Sequence, residues 1–267
     1  MKDKIIKLYS NLGIDCYTNK LLLEFIELLN EPDDLLKKQY EFFHQDFILS
    51  LNEIKKNDKK SFEKYVKRIN DTKGKLNFWG EKFEIYNHSQ LIKLNANIIF
   101  NLRRGREGKE PDFLFNYNKT ELGIELTSLK FIESPKNEEI IINKITDCII
   151  EKNNKPYSNE KTALIIDVTN MIAYEKLNNY SLKSIFKKHF EGFEYLQKEM
   201  RLGFIILCFF DLKEFKNNEL IHSLNPLFGL QYEKKPINKD LISFLRIIFN
   251  NFEQDKNFIR SFHHQNI

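Results

Sequence analysis

Cysteine is scarce in this 267-residue sequence, which contains only Cys16, Cys148 and Cys208. The three lie far apart and form neither a CxxC pair nor a cysteine and histidine spacing, so the sequence predicts neither a disulfide framework nor a zinc site. The six histidines are scattered in the same way and suggest no metal-binding spacing. Because unpaired cysteines are typical of a reducing compartment, we expect a cytoplasmic protein.

Long apolar runs are also missing. No run reaches the roughly 20 residues that a membrane-spanning helix needs. Residues 1–23 alternate charged with apolar residues and lack the apolar core of a signal peptide. The charge is nearly balanced, with 42 Lys and Arg against 38 Asp and Glu and a net charge of +4. We therefore expect no membrane partner, and the overall charge does not by itself indicate nucleic acid.

Apolar and aromatic residues, in contrast, are plentiful. Hydrophobic residues make up 42% of the chain and aromatic residues 13%, with 24 phenylalanines, which predicts a packed globular protein. Over residues 1–79 the apolar side chains recur at three-to-four-residue spacing, which predicts a helical N-terminal region. The polar stretch ahead of Trp79 and Gly80 predicts a domain boundary near residue 80.

Beyond that boundary, helical and strand patterns alternate. The predicted elements are a helix over 89–103 capped by Asn87 or Ser89, strands over 112–116 and 121–127, a helix over 137–153, a strand over 162–169, a helix over 182–200 and a strand over 202–210. This order predicts an α/β core over residues 80–215 with a mixed central sheet flanked by helices. The first two strands are expected to form a hairpin that turns at residues 118–120. Residues 216–267 are expected to form a helical C-terminal extension packed on the core.

Two carboxylates stand out in the predicted hairpin. Strand periodicity places Glu125 on the opposite face from its apolar neighbours, and Asp112 begins the preceding strand, where it can approach Glu125. Two carboxylates in a partly buried place repel each other unless a proton or a cation relieves them. Mg²⁺ prefers such hard oxygen ligands, and the carbonyl of Leu126 would complete the protein's share. The bound ion would polarise a phosphodiester and lower the pKa of a water molecule.

The dipeptide Pro111-Asp112, followed thirteen residues later by Glu125-Leu126-Thr127, resembles the motif of the PD-(D/E)XK nuclease superfamily. The resemblance implies a restriction-endonuclease-like core that hydrolyses DNA with Mg²⁺, or with Mn²⁺ as a substitute. It implies that Asp112 and Glu125 bind the metal, and it favours a restriction or defence endonuclease. RNA stays open as a second substrate class. A homodimer is a further expectation, because cutting both strands commonly needs two sites.

The sequence departs from this motif where Thr127 replaces the usual lysine. Threonine donates a hydrogen bond but brings no positive charge. In some members of the superfamily the lysine has moved to the helix after the motif, so Lys144 is the favoured substitute and Lys130 the second. Some members also have a glutamate ligand on the helix before the motif, for which Glu81 and Glu84 are weak candidates.

Basic residues lie immediately ahead of Asp112. They are Arg103, Arg104, Arg106 and Lys109, and Lys152 on the helix after the motif adds to them. Cations beside the carboxylates would hold phosphates on either side of the scissile one, which predicts a DNA-binding rim. The alternative is a solvated helix end, where cations complement the helix dipole.

Other interpretations of the acidic residues stay open. Glu125 in a buried strand is also explained by a salt bridge to a lysine. Asp167 is the same kind of anomaly, and for it we favour a structural role over a place in the site. The alternative function is a non-catalytic domain with the nuclease fold that binds nucleic acid or a protein partner.

Overall fold

The computed structural model describes residues 2–30, 32, 34–71, 78–129, 137–169, 199–215, 219–230 and 238–249. They fall into two compact units. The first comprises Met1–Ile99 with Leu212–Ile221, and the second comprises Phe100–Asp211 with His222–Ile267. The change of unit therefore follows Ile99, later than the predicted boundary near residue 80. Among the residues just given, no helix combines the length and the apolar character that a membrane span requires.

In the first unit, the residues before Phe100 form helices, while Leu212–Ile221 contributes parts of two strands. The helices are α1 (Lys2–Asn11), α2 (Lys20–Glu27), α3 (Asp34–Asn57), α4 (Lys59–Asn70) and α5 (Phe78–Asn97), with one 3₁₀ turn (Leu28–Asn30). Polar side chains cap two of them, since Asn19 accepts from the backbone of Leu22 and Asp58 accepts from that of Ser61, each at 3.0 Å. A single core of buried side chains from all five helices holds the unit together.

Helix α5 differs from its prediction. The sequence placed a helix at 89–103 with a cap at Asn87 or Ser89, but the helix begins at Phe78, and both proposed caps lie buried in its interior. Buried residues occur on several sides of α5, so no single apolar stripe marks where it starts. The helix belongs to the first unit because it packs along α3.

The second unit contains a mixed sheet of six strands in the order β1-β2-β3-β4-β5-β6, apart from the end of β5 and the start of β6 within Leu212–Ile221. The strands are β1 (Arg103–Arg104), β2 (Phe113–Tyr117), β3 (Thr120–Ser128), β4 (Thr162–Asp167), β5 (Phe204–Phe215) and β6 (Glu219–Leu230). Strand β2 pairs antiparallel with both β1 and β3, whereas β4 pairs parallel with both β3 and β5. Among the described residues of this unit, two helices flank the sheet, α6 (Glu138–Asn153) and α7 (Lys239–Ile248). The predicted α/β class with a mixed, helix-flanked sheet is confirmed.

The β2–β3 hairpin is confirmed with a tighter turn than the sequence suggested. Tyr117 pairs with Thr120, so the loop consists of Asn118 and Lys119 alone. Both have positive φ, 49° and 68°, as the twist-matched two-residue turn requires. Asp240 at the start of α7 accepts hydrogen bonds from the side chains of Thr120 at 2.7 Å and Asn118 at 3.0 Å, which fixes the turn.

The two flanking helices bury opposite faces of the sheet. Apolar residues of α6 pack with those of β4 and β5 in one core. On the other face Phe244 of α7 stacks on Phe115 with ring centroids 3.8 Å apart. Side chains directly opposite on paired strands share a face. Because Phe115 pairs with Leu122 while Leu114 pairs with Gly123, alternate residues of the hairpin face α7 and α6.

Other predictions for this unit had mixed outcomes. The helix over 137–153 is confirmed as α6, whose cap Asn137 accepts from the backbone of Ile140 at 3.0 Å. Strands β4 and β5 lie where strands were expected. The helical extension over 216–267 is wrong for Glu219–Leu230, which is a strand, and right for α7. The helix over 182–200 falls almost wholly outside the described residues.

Candidate active site

Two glycines determine where Pro111 and Asp112 lie. A Cβ atom on Gly105 would approach the carbonyl oxygen of Pro111 to 1.7 Å, and one on Gly123 would approach its Cγ to 2.7 Å. Real Cβ atoms essentially never come so close to another atom, so a side chain at either position would force the neighbouring atoms to move. The amide of Gly105 also donates to the carbonyl of Asp112 at 2.9 Å. The segment before β2 is thus held between the end of β1 and the middle of β3.

This path places the Asp112 carboxylate against β3. Phe113 pairs with Ile124, so the next pair along the antiparallel register is Asp112 with Glu125. Oδ2 of Asp112 accepts from the amide of Leu126 at 2.8 Å, and this bond fixes the carboxylate in a half-buried position. The hairpin therefore brings the two predicted carboxylates together.

Glu125 is the buried member of the pair, with 5% of its surface exposed. Its Oε1 lies 2.8 Å from Nζ of Lys152, whose side chain is 20% exposed in the last turn of α6. A hydrogen bond also links its carboxylate to the side chain of Tyr157, in the loop between α6 and β4. A buried carboxylate is tolerated where charged or hydrogen-bonding groups compensate it, and both donors lie on the α6 side.

Both donors keep their protons at neutral pH. Burial lowers the pKa of Lys152, but the carboxylate of Glu125 outweighs it, and the net pKa is raised. Burial first, and then the charge of Glu125, raise the pKa of Tyr157 as well. Lys152 is therefore a cation and Tyr157 a neutral hydroxyl, and Asp112 also acts electrostatically on both.

Thr127, which stands where the motif has lysine, contacts α6 instead of a carboxylate. Its side chain is hydrogen-bonded to Cys148. Burial is the main reason that the pKa of this thiol rises to about 11, so Cys148 is a neutral thiol at physiological pH. Neither side chain provides a positive charge or a nucleophile here.

The lysine that reaches Glu125 is Lys152, which the sequence assigned to DNA contact. Lys144, the substitute favoured from the sequence, lies eight residues earlier on α6, about 12 Å along the helix axis. It is half-buried. Lys130, the second candidate, lies outside the described residues. The salt bridge to a lysine, one of the two interpretations of Glu125, is present.

The basic cluster ahead of Asp112 interacts largely with the protein's own residues. Arg103 and Arg106 each contact Glu110 at 3.1 Å, and Arg104 lies over the ring of Phe113 at 5.1 Å. Hydrogen bonds from Arg103 and then Arg106 lower the pKa of Glu110 to about 2. Arg103 and Arg104 form a strand instead of the predicted helix end. Of the predicted rim, Arg103, Arg106 and Lys109 are exposed to solvent.

Asp167 has the structural role that the sequence favoured. Its Oδ2 accepts from Ser128 Oγ at 2.8 Å, and its Oδ1 accepts from the amide of Thr169 at 2.9 Å and from the hydroxyl of the same residue. These bonds join the ends of β3 and β4. The weak candidates Glu81 and Glu84 belong to the first unit, where both pair with Arg68, at 2.8 and 3.1 Å.

The donor atoms at Asp112 and Glu125 suit a hard cation. Two carboxylates and the carbonyl of Leu126 are the oxygen ligands that Mg²⁺ takes while it keeps several waters. Within the described part of the chain, no group of three or more His, Cys, Asp or Glu side chains could bind a metal. A site here would accordingly depend on these few oxygens and on water, with one oxygen of Glu125 shared with Lys152.

The sequence missed Tyr157 and the two glycines. Tyr157 follows Pro156 in a loop, where no periodicity points to a particular partner. The signal for Gly123 was present, because a glycine between apolar residues in a strand often marks a close approach of another backbone. Gly105 has a similar role, but its place inside a basic cluster concealed it.

Comparison with models of protein families, with curated proteins and with solved structures finds no match for this chain.

Proposed function

We propose that the second unit is a metal-dependent nuclease that hydrolyses DNA phosphodiester bonds at a site formed by Asp112, Glu125 and Lys152. The observation that carries the proposal is the convergence of two carboxylates and a protonated lysine at one end of the β2–β3 hairpin. The chain order also supports it. A hairpin of two strands, a helix and a further strand follow one another, in the order of elements that the resemblance to PD-(D/E)XK nucleases implies.

In this proposal each residue has a separate task. A bound Mg²⁺ supplies a Lewis acid for the phosphate and a water of lowered pKa. Asp112, fixed by the amide of Leu126, and Glu125 offer oxygens to the ion. Lys152 takes the part of the missing motif lysine, since its ammonium group stabilises the negative charge that develops on the phosphate. Tyr157 holds Glu125 in place.

One observation favours a second candidate, a nuclease-like domain that binds nucleic acid or a protein without cutting. The ammonium group of Lys152 already neutralises the buried carboxylate of Glu125 at 2.8 Å. A pair of this kind persists in a protein without any metal, because removing either partner alone leaves an uncompensated charge. The two candidates differ in whether metal binds and whether DNA is cut.

The deciding experiment is cleavage of plasmid DNA in EDTA, Mg²⁺ or Mn²⁺, with a structured RNA as a parallel substrate. The wild type is compared with Asp112→Asn and with Asp147→Asn, which removes the same charge from an exposed position on α6. We expect metal-dependent cleavage that falls at least about 100-fold in Asp112→Asn and is unchanged in Asp147→Asn. Discrete bands indicate a sequence-specific endonuclease, and a smear a nonspecific one.

Metal binding is measured separately from cleavage. Mg²⁺ that binds the folded protein raises its thermal midpoint, and we expect this rise in the wild type and in Asp147→Asn but not in Asp112→Asn. Wild-type activity in Asp112→Asn would refute the site. Intact DNA and RNA in every metal, together with no rise in the midpoint, would favour the non-catalytic candidate.

A further inference from the structure

One segment of the first unit has a positive surplus as large as that of the whole chain. Residues 55–71 contain seven Lys and Arg and three Asp and Glu, a surplus of four. The whole chain has a net charge of +4, so the rest of the sequence is neutral in sum. A local excess of this size, unlike the overall charge, attracts polyanions.

The structure arranges part of this excess on one side of α4. The helix buries Phe62, Tyr65 and Ile69 along one side. Lys60, Lys64 and Lys67 are exposed and recur at helical spacing on the opposite side, over about 10 Å of the axis. We call these three lysines the α4 lysine face.

The α4 lysine face differs from two other basic groups beside it. Arg68 is paired with Glu81 and Glu84, and Lys55 lies over the ring of Phe62 at 5.4 Å. Within the described part of the chain, by contrast, no ion pair involves the three lysines of the face. The only acidic residue of α4, Glu63, is exposed at the edge of the face.

The surroundings of the face indicate which polyanion fits. Among residues 55–71 no large hydrophobic side chain is exposed, whereas helices that bind lipid surfaces insert apolar residues. Proteins that bind single strands stack bases on exposed aromatic rings, but Phe62 and Tyr65 are buried. A row of lysines without apolar or aromatic neighbours matches the backbone of a duplex, where phosphate contacts alone supply affinity.

We infer that the α4 lysine face binds the phosphate backbone of double-stranded DNA without sequence preference. This surface lies in the first unit and adds to the nuclease site proposed for the second. It needs neither a metal nor cleavage, because lysine contacts to phosphate are electrostatic and independent of base sequence. The proposed nuclease activity and the inferred DNA binding at this face can therefore be tested separately.

The test is fluorescence anisotropy of a labelled DNA duplex in EDTA, titrated with full-length protein between about 50 and 200 mM salt. The test variant is Lys60→Gln/Lys64→Gln/Lys67→Gln. The control, Lys4→Gln/Lys7→Gln/Lys20→Gln, removes the same charge from exposed positions elsewhere in the first unit. Loss of three phosphate contacts should reduce the slope of log affinity against log salt by about 2 to 3 and weaken binding at least about tenfold at low salt. The control should retain nearly the wild-type slope.

Several results would overturn the inference. Equal losses in the two triple variants would show a general charge effect, and absence of duplex binding by the wild type would remove the partner. Tighter binding to single-stranded DNA, to duplex RNA or to phosphatidylserine vesicles than to duplex DNA would contradict the choice of duplex DNA. If the wild type fails to cut plasmid but its duplex binding depends on the face, the inference stands and the proposed nuclease function fails.

Discussion

Glu125 has a catalytic and a structural interpretation, and the two differ in the role that they give to the ammonium group of Lys152. A buried ion pair does not by itself stabilise a fold more than apolar residues of the same size would. Lys152 remains 20% exposed and Glu125 5% exposed, and Asp112 lies beside the pair in a half-buried position. A cation bound beside this second carboxylate would therefore complement the group better than the ion pair alone does.

Replacement of Lys152 tests whether this lysine or Lys144, the one favoured by the sequence, acts in cleavage. We expect Lys152→Met to lower DNA cleavage by about 100- to 1000-fold, because a charge that stabilises the transition state is lost. It should also destabilise the fold by about 1 to 3 kcal/mol, since Glu125 loses one of its donors. Lys144→Met should cost far less activity. Cleavage rates and urea midpoints measure both effects.

A matched control comes from Lys155, which follows α6 and pairs with the exposed Glu151 at 3.3 Å. Lys155→Met should change neither cleavage nor stability appreciably, because exposed ion pairs contribute little. If Lys144→Met abolished cleavage while Lys152→Met left it intact, the role of the motif lysine would pass to Lys144.

His44 makes the stability of the first unit depend on pH. Its ring is fully buried beside Tyr9, whose hydroxyl lies 2.8 Å from Nδ1. Burial lowers the pKa of His44 from 6.5 to about 4. Between these values the unfolded chain binds a proton that the folded chain does not, so stability falls as the pH drops from about 6.5 to about 4 and then levels off.

The loss from this residue is expected to be about 3 kcal/mol at most. Urea unfolding at a series of pH values, followed through Trp79 fluorescence, would measure it. In His44→Asn this part of the pH dependence should disappear, although the variant should be less stable at neutral pH because Tyr9 changes its partner. An unaltered pH dependence in His44→Asn would assign the effect to other groups.

At the scale of elements, the candidate site depends on how closely β1, β2 and β3 approach one another. In Gly105→Ala the new methyl group would lie 1.7 Å from the carbonyl oxygen of Pro111, so the backbone before Asp112 must move. We expect a loss of stability of about 2 kcal/mol or more and a large loss of cleavage. Thermal unfolding and the plasmid assay would show both.

Gly108 in the same loop provides the comparison. Its φ is +71°, but a Cβ there would meet nothing within 4 Å. Gly108→Ala should therefore cost only the strain of the left-handed conformation, about 1 to 2 kcal/mol, and should retain cleavage. Equal loss of cleavage in both variants would show that the loop as a whole, and not the contact with Pro111, positions Asp112.

Some of these helices and strands could be predicted from the sequence, and others could not. The hairpin and α6 have local signals, because turn residues, an asparagine cap and one-sided apolar periodicity all agree. Strand β1 has only two residues and exists through its pairing with β2. Strand β6 contains Asn225-Pro226 and Gly229, which break strand periodicity, and its pairing in the sheet overrides that local preference.

At the scale of the whole molecule, the sequence predicted only part of the candidate site, because long-range packing brings the other residues to it. Asp112 and Glu125 were predictable because a hairpin brings residues close in sequence together. Lys152 belongs to the site through the crossover from β3 through α6 to β4, and the helical pattern alone does not indicate which lysine of α6 will face Glu125. Tyr157 could not be predicted from the sequence for the same reason. Long-range packing decides these positions, and no local signal substitutes for it.

The buried clusters described for the two units are distinct, and we expect the units to unfold in separate steps. The buried cluster of the first unit and that of the second share no residue, and chains of this size often unfold in more than one step. The only tryptophan, Trp79, packs in the first unit with its ring centroid 5.4 Å from that of Phe25. Its fluorescence reports the first unit, and circular dichroism reports both.

We therefore expect Gly105→Ala to shift the circular dichroism transition of the second unit in urea and to leave the midpoint of Trp79 fluorescence in place. A decrease in pH from 7 towards about 5 should do the reverse, because His44 lies in the first unit. If both signals moved together in Gly105→Ala, the chain would unfold as one cooperative block. The loss of cleavage in that variant would then reflect global instability instead of a displaced Asp112, and the position of Pro111 would need a test that leaves stability unchanged.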